Sequence, residues 1–279
     1  MIEPYYRSAD GDVALYLGKM EEVLPQLGVR ADLIVADPPF GETSHDWDRW
    51  PEGWLDIAAQ YANGMWCFGS QRMFLDRAAE FRAAGWKLSQ DVVGHDEDGE
   101  PITGDVNVVW EKHNGSGFAR DRFRRVHEHV LHWYRGVPWE EAHQDVPRVP
   151  YSGPDKSARG RNSRTPHTGT IGAHTYVDDG TRLMRSVIKV AAVRGQRRHP
   201  DEKPLPLLDP LIAYGCKPGG LVIDPFAGSC STLEAARRSG RPAIGIEERE
   251  LYAEKGALRL DEPYAAELFT PAARSVPAV

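Results

Sequence analysis

Leu221-Val222-Ile223-Asp224-Pro225-Phe226-Ala227-Gly228-Ser229-Cys230-Ser231 is the stretch whose reading decides the fold. Leu221 to Asp224 is an apolar, partly β-branched run closed by an acid, the pattern of a buried strand. The small residues from Ala227 to Ser231 predict a tight turn, Thr232 to Ser239 a helix, and Ala243 to Ile246 a second strand ending in Glu247. This is a β-α-β unit, the building block of a doubly wound α/β sheet. A turn of small side chains lets a ligand approach the backbone closely, and an acid ending the next strand can hold vicinal ribose hydroxyls. Glu247 lies 23 residues beyond Asp224, near the spacing of about 20 that nucleoside binding calls for. The turn lacks GxGxxG, so a nucleoside without phosphates fits better than a dinucleotide.

The same alternation of strands and helices extends upstream. Val13 to Leu17, Asp32 to Ala36 and Gly64 to Gly69 read as strands, and Lys19 to Leu27 and Gln71 to Ala84 as helices. Lys87 to Val93 and Asn107 to Trp110 read as strands flanking an acidic surface excursion, and His127 to Tyr134 as a half-buried strand. The histidines of that last strand raise the question of zinc, but no cysteine cluster accompanies them and no metal is expected. Leu205 to Tyr214 has helical periodicity.

Asp37-Pro38-Pro39-Phe40 follows the strand that ends at Ala36. Two prolines fix two φ angles and remove two donors, which leaves the carbonyls of Asp37 and Pro38 outside any regular ladder. A carboxylate and a free carbonyl can accept both hydrogens of an exocyclic amine while an aromatic ring stacks on its heterocycle. The polar run from Gly41 to Trp50 reads as a mobile loop beside this cleft.

At 279 residues with a net charge of −7, the chain suits one large domain or one domain with an insertion. Its charge is uneven: residues 112–203 hold 18 Lys and Arg against 10 Asp and Glu. A basic middle on an acidic scaffold has the form of a phosphate footprint. Within it, Gly136 to about Gly180 loses periodicity and reads as a long irregular loop, which in a compact enzyme is usually functional or disordered. Cys67, Cys216 and Cys230 have neither disulfide nor zinc spacing. With no membrane-length apolar run and no signal-peptide profile, a soluble, cytoplasmic protein is expected.

The DPPF motif at Asp37, His199-Pro200-Asp201-Glu202-Lys203-Pro204, and Asp224-Pro225-Phe226-Ala227-Gly228-Ser229, in that order, resemble the amino-group DNA methyltransferases that use S-adenosylmethionine. The likeness is to the permuted class, in which the catalytic motif precedes the cofactor motif. It implies a Rossmann-like methyltransferase sheet in two parts, a catalytic half at 1–135 and a cofactor-binding half at 195–279. An irregular target-recognition insertion at 136–194 would separate them. It implies that Asp37, Pro38, Pro39 and Phe40 are catalytic, and that Asp224, Phe226, Ala227, Gly228, Ser229, Glu247, His199, Lys203 and Pro204 bind the cofactor. Arg120, Arg122, Arg124, Arg125, Lys156, Arg159, Arg161 and Arg164 are the expected contacts to double-stranded DNA.

The leading aspartate of the DPPF motif goes with adenine N6 in that family, and a serine with cytosine N4. Cytosine N4 or an RNA adenine remains the alternative target, and a DNA-binding protein that kept the fold without turnover the alternative class. Two departures stand out: Cys230 where the family usually has a second glycine, and Lys19 where it commonly has aspartate. The sequence leaves open whether the chain forms a homodimer or works beside a restriction endonuclease.

Overall fold

The computed structural model of the chain describes residues 2–95, 101–105, 107–116, 120–121, 123–165, 169–193, 198–199 and 201–263. In chain order its main elements are β1 (Val13–Leu17), α1 (Met20–Leu27), β2 (Leu33–Ala36), α2 (Trp54–Tyr61), β3 (Gly64–Gly69) and α3 (Gln71–Ala83). These are followed by β4 (Asn107–Ser116), β5 (Arg125–Tyr134), β6 (Val187–Lys189), α4 (Leu205–Gly215), β7 (Val222–Asp224), α5 (Ser231–Arg238), β8 (Ala243–Glu247) and α6 (Glu250–Asp261). The sheet runs Tyr6–Arg7, β1, β8, β7, β2, β3, β5, β4, β6. From β1 to β3 every neighbour is parallel; β5 then enters antiparallel to both β3 and β4.

Strand alternation sorts the core into two layers. Val13, Leu15, Leu33, Val35, Trp66 and Phe68 face one side, where they pack with Leu207 and Leu211 of α4, Leu233 of α5 and Leu260 of α6. Ala14, Tyr16, Ile34, Ala36, Met65 and Cys67 face the other, against Val23 of α1, Trp54 of α2 and Phe81 of α3. Helices therefore cover both faces, as the doubly wound reading requires. No helix among the described residues is long and apolar enough to cross a membrane.

The insertion departs from the expected irregular loop. Arg148–Pro150 pairs with Thr181–Leu183, Ala158–Gly160 with His174–Tyr176, and Ser163–Thr165 with Gly169–Ile171, all antiparallel. The second and third ladders share one register, so the segment is a long interrupted β-ribbon folded back on itself. Each ladder is three residues long, too short for a period of two to register in sequence, and none of its side chains with a described environment is fully buried to impose one. The acidic excursion near 94–105 likewise carries a hairpin, Gln90–His95 with Pro101–Asp105.

The loop after Phe40 differs from expectation too. Buried Asp48 accepts the backbone N–H groups of Gly41 at 2.7 Å, Glu42 at 2.9 Å and Thr43 at 2.6 Å, so the segment is tied around one carboxylate. Those bonds hold the Asp48 carboxyl below its ordinary range against the opposing effect of burial.

Candidate active site

β7 and β2 are neighbours in the middle of the sheet, with Val222 opposite Leu33 and Ile223 opposite Ile34. Their carboxyl ends release Asp224 and Asp37 side by side, at the place where open α/β sheets bind ligands. Pairing of two strands thus joins motifs that are 187 residues apart in the chain.

Asp224 is buried, and its Oδ1 accepts the N–H of Phe226 at 3.0 Å, which fixes the start of the turn. Burial raises its carboxyl to about 7, against the hydrogen bonds from Thr232 and Phe226. Glu247, at the end of β8, accepts the N–H of Gly228 on Oε2 and that of Arg249 on Oε1, both at 2.9 Å. Its pKa is raised by burial, which outweighs these bonds. Gly228 has φ 50°, and a Cβ there would stand 3.6 Å from the His199 ring. His199 meets Tyr252 of α6 edge-on with centroids 4.2 Å apart, and Trp47 of the Asp48-tied loop reaches it from the far side at 6.1 Å. Burial lowers His199 to about 4, so the ring is neutral at pH 7. Gly228 thus stands against both Glu247 and His199, the Ala227 N–H donates to Ile246 O at 2.8 Å, and Phe226 meets Trp54 edge-on at 5.3 Å.

Cys230 sits at φ 61°, a left-handed conformation otherwise confined to glycine among the described residues. The missing second glycine is therefore a backbone demand that the cysteine meets at a cost of about 1–2 kcal/mol. Lys19 is exposed before α1 and makes no side-chain cap.

Lys203, expected among the cofactor-binding residues, has a buried ammonium that donates to Asp37 Oδ2 and lies 3.8 Å from Glu128 Oε2. Pro204 caps α4 immediately after it, and the ammonium compensates the burial of the carboxylates beside it. Burial raises Asp37 to about 6 despite the pull of Lys203. On Lys203 burial opposes the charge, but Asp37 and Glu128 outweigh it and raise the pKa. Asp37 keeps its second oxygen, Pro38 is buried behind it, Pro39 is partly exposed, and Phe40 packs against both core layers with part of its ring open.

Two charged residues that sequence reasoning missed hold the site together. Glu128 of β5 pairs with Lys112 of β4 as well as approaching Lys203. Arg259 of α6 is buried between Glu202 at 2.8 Å and Glu234, and it reaches Ser229 O and Oγ at 3.3 Å. Their only sequence signal is a charge on the inward side of an otherwise amphipathic element.

The expected DNA contacts lie on exposed loops and on the ribbon. Arg120, Arg124 and Arg125 are exposed, and Arg125 comes within 3.8 Å of Glu42 beside the catalytic loop. Phe123 is wholly exposed between them. Lys156, Arg159 and Arg161 are exposed along the ribbon, whereas Arg148 and Arg182 are paired with Asp179 and Asp178. Arg122 lies outside the described residues, as does the Arg164 side chain. On β5, His127 and His129 share a face but His132 points into the core toward Trp66 and Tyr214, and no metal-binding cluster occurs among the described residues.

A sheet switch point carrying an acid-lined recess beside a DPPF loop defines a class of enzyme. The family model described as DNA methylase, of the N6/N4 type, matches residues 31–258, and the chain belongs to that family. Among curated relatives, the DNA adenine methyltransferase YhdJ of Escherichia coli (strain K12) is 46% identical over 71 residues, 25% of this chain and 24% of its own. YubD of the same organism is 53% identical over 66 residues, 24% of this chain and 29% of its own. The matches thus span only about a quarter of the curated relatives' length. Of solved structures, the M1.HpyAVI complex with S-adenosylmethionine superposes with TM-score 0.56 at 20% identity, covering 90% of this chain and all (100%) of that one. The cytosine-N4-specific PvuII DNA methyltransferase has TM-score 0.58 at 13% identity over 95% of this chain and 92% of its own, which marks a shared fold.

Proposed function

We propose that the protein transfers a methyl group from S-adenosylmethionine to adenine N6 in double-stranded DNA. The observation that carries this reading is Asp37, a mostly buried carboxylate whose Oδ2 bonds Lys203 and whose other oxygen has no hydrogen-bond partner among the described residues, at the strand end next to the Asp224 turn. The recess fits the cofactor: Glu247 retains lone pairs for ribose hydroxyls, and Gly228 leaves room that a side chain would fill. Neutral His199 and Tyr252 line its other wall. S-adenosylmethionine supplies an electrophilic methyl carbon on a sulfonium that leaves as a neutral thioether.

The chain supplies orientation and charge. Asp37 and the Pro38 carbonyl accept the hydrogens of the target amine, which aims its lone pair, and Phe40 stacks on the extruded base. The Asp37 carboxylate also stabilises the positive charge that grows on nitrogen. The name of YhdJ and the leading aspartate of the motif favour adenine over cytosine N4.

The ribbon between Ala158 and Tyr176, whose described side chains at 158–163 and 172–176 are exposed apart from half-buried Gly160, is a two-stranded element of the kind that a B-DNA major groove admits. Its Lys156, Arg159 and Arg161, with Arg120, Arg124 and Arg125 near the catalytic loop, supply phosphate contacts.

The test is incubation with methyl-labelled cofactor and unmethylated DNA, followed by nucleoside analysis. N6-methyladenine is expected; N4-methylcytosine would overturn the base, and label in RNA alone would overturn the substrate. Asp37→Ala should bind DNA as before and lose methyl transfer, and unchanged turnover in that variant would overturn the mechanism.

A further inference from the structure

One oxygen of the buried charge network is left over. Glu128 Oε1 accepts from Lys112, whereas Oε2 is buried without a hydrogen bond and stands 3.8 Å from Lys203 Nζ. Lys203 bonds Asp37 Oδ2 and reaches the carbonyl of Asp201 at 3.4 Å. One ammonium thus has two carboxylates beside it, one bonded and the other just beyond bonding distance. A buried carboxylate oxygen without a donor is costly and rare in native proteins, and rotation of the lysine side chain would satisfy it.

We propose that Glu128 is a positioning residue for methyl transfer, the second seat to which the Lys203 ammonium moves from Asp37 when the target amine docks. The proposal rests on the reading of Asp37 as the acceptor for that amine. A carboxylate bonded to an ammonium is a weaker acceptor for an incoming amine hydrogen. An ammonium at Asp37 also repels the positive charge that grows on the attacking nitrogen. Moving Lys203 to Glu128 relieves both effects without returning the charge to water.

The surroundings suit such a move. The Phe68 ring lies 5.0 Å from Lys203 Nζ and offers its face to the cation. Burial opposes ionisation of Glu128, but Lys203, Lys112 and Arg125 outweigh it and hold the carboxyl below its ordinary range, so the second seat is charged. The groups facing this network are Asp37, Asp201 and Lys203, with Glu128 and Arg125 on β5, Lys112 on β4 and Asp224 at the adjoining strand end.

Glu128→Gln keeps the shape and removes the charge. Two measurements on the full chain test it: the titration midpoint of the Asp37 carboxyl carbon by NMR in cofactor-free protein, and the single-turnover rate of DNA methylation against pH. Without Glu128 the ammonium is confined to Asp37, so the Asp37 midpoint should fall and the plateau rate should drop roughly tenfold or more. Glu128→Asp, which keeps the charge, should recover part of the rate. Lys112→Met covers the case in which Glu128→Gln does not fold; it leaves Lys203 as the nearer counter-ion of Glu128, and the Asp37 midpoint should rise. A merely structural Glu128 would lower the yield of folded protein without moving the midpoint, which would overturn the proposal. So would a Glu128→Gln rate equal to wild type. Wild-type protein that titrates as expected but transfers no methyl group would overturn the amine reading, and the proposal with it.

Discussion

Asp37 accepts an amine hydrogen most strongly as a carboxylate, and burial and Lys203 pull its proton in opposite directions. Burial wins in part and leaves the carboxyl at about 6. Below that pH the group carries a proton, becomes a weaker acceptor and loses the charge that stabilises the developing cation, so the methylation rate should fall with a one-proton acid limb near pH 6 and stay level above it. Lys203→Met removes the force that lowers the pKa, so the limb should move to higher pH; a pH-rate profile of both proteins checks the sign. Cys230 offers a prediction about stability. A Cβ placed on Gly256 would lie 2.4 Å from Cys230 Sγ, and both residues are buried. Gly256→Ala should therefore cost about 1–3 kcal/mol in urea unfolding. Cys230→Gly empties the space and frees the backbone from its left-handed strain, so the double variant should be more stable than Gly256→Ala alone. Non-additivity in that cycle is the expected signature.

At the scale of elements, α6 matters more than its sequence suggests. Through Arg259 it ties the segment before α4, which supplies Glu202, to Ser229 of the cofactor turn and Glu234 of α5. Arg259→Met would leave buried Glu202 without its main counter-charge, a loss of about 3–5 kcal/mol. Because Ser229 and His199 sit on the two segments so joined, calorimetry should also show weaker cofactor binding.

This helix shows where sequence reading stops. β7, β8 and the turn between them were legible because an apolar run, small residues and a terminal acid are local signals, and β1 and β3 were legible as compact apolar runs. α6 mixes Leu251, Tyr252, Ala253, Leu258 and Leu260 with charges, and the worth of Arg259 depends on partners brought to it only by packing. Glu128 was hidden in the same way: the register of β5 against β4 and the path of the chain into α4 decide what it faces. α2 follows a polar loop whose order comes from Asp48 bonding to backbone N–H groups, which composition does not reveal.

For the whole molecule, the division of charge matches a division of labour. The acidic scaffold holds both core layers, and among the described residues none between Arg148 and Leu183 belongs to either of them. The ribbon is held by its own ladders, by the Arg148–Asp179 and Arg182–Asp178 pairs, and by Arg182 stacked on Tyr151 at 3.8 Å. Arg148 and Arg182 are thus spent on the ribbon's internal structure, and Lys156, Arg159 and Arg161 remain on its surface for a phosphate backbone. Since Pro150 stands opposite Thr181, an Asn-Gly turn can join these two residues and remove everything between them, at the loss of the contact of Gly169–Ile171 with Gln90–His95. The shortened protein should keep its unfolding midpoint and its cofactor affinity, because neither core nor recess loses a contact. Its DNA affinity should fall, and the slope of log affinity against log salt should shrink by roughly 3.6, about 0.9 for each of the four cations removed, Lys156, Arg159, Arg161 and Arg164. A titration at several salt concentrations reads the slope directly. An unchanged slope would mean that the ribbon does not touch phosphate, and a lowered unfolding midpoint would mean that it braces the fold.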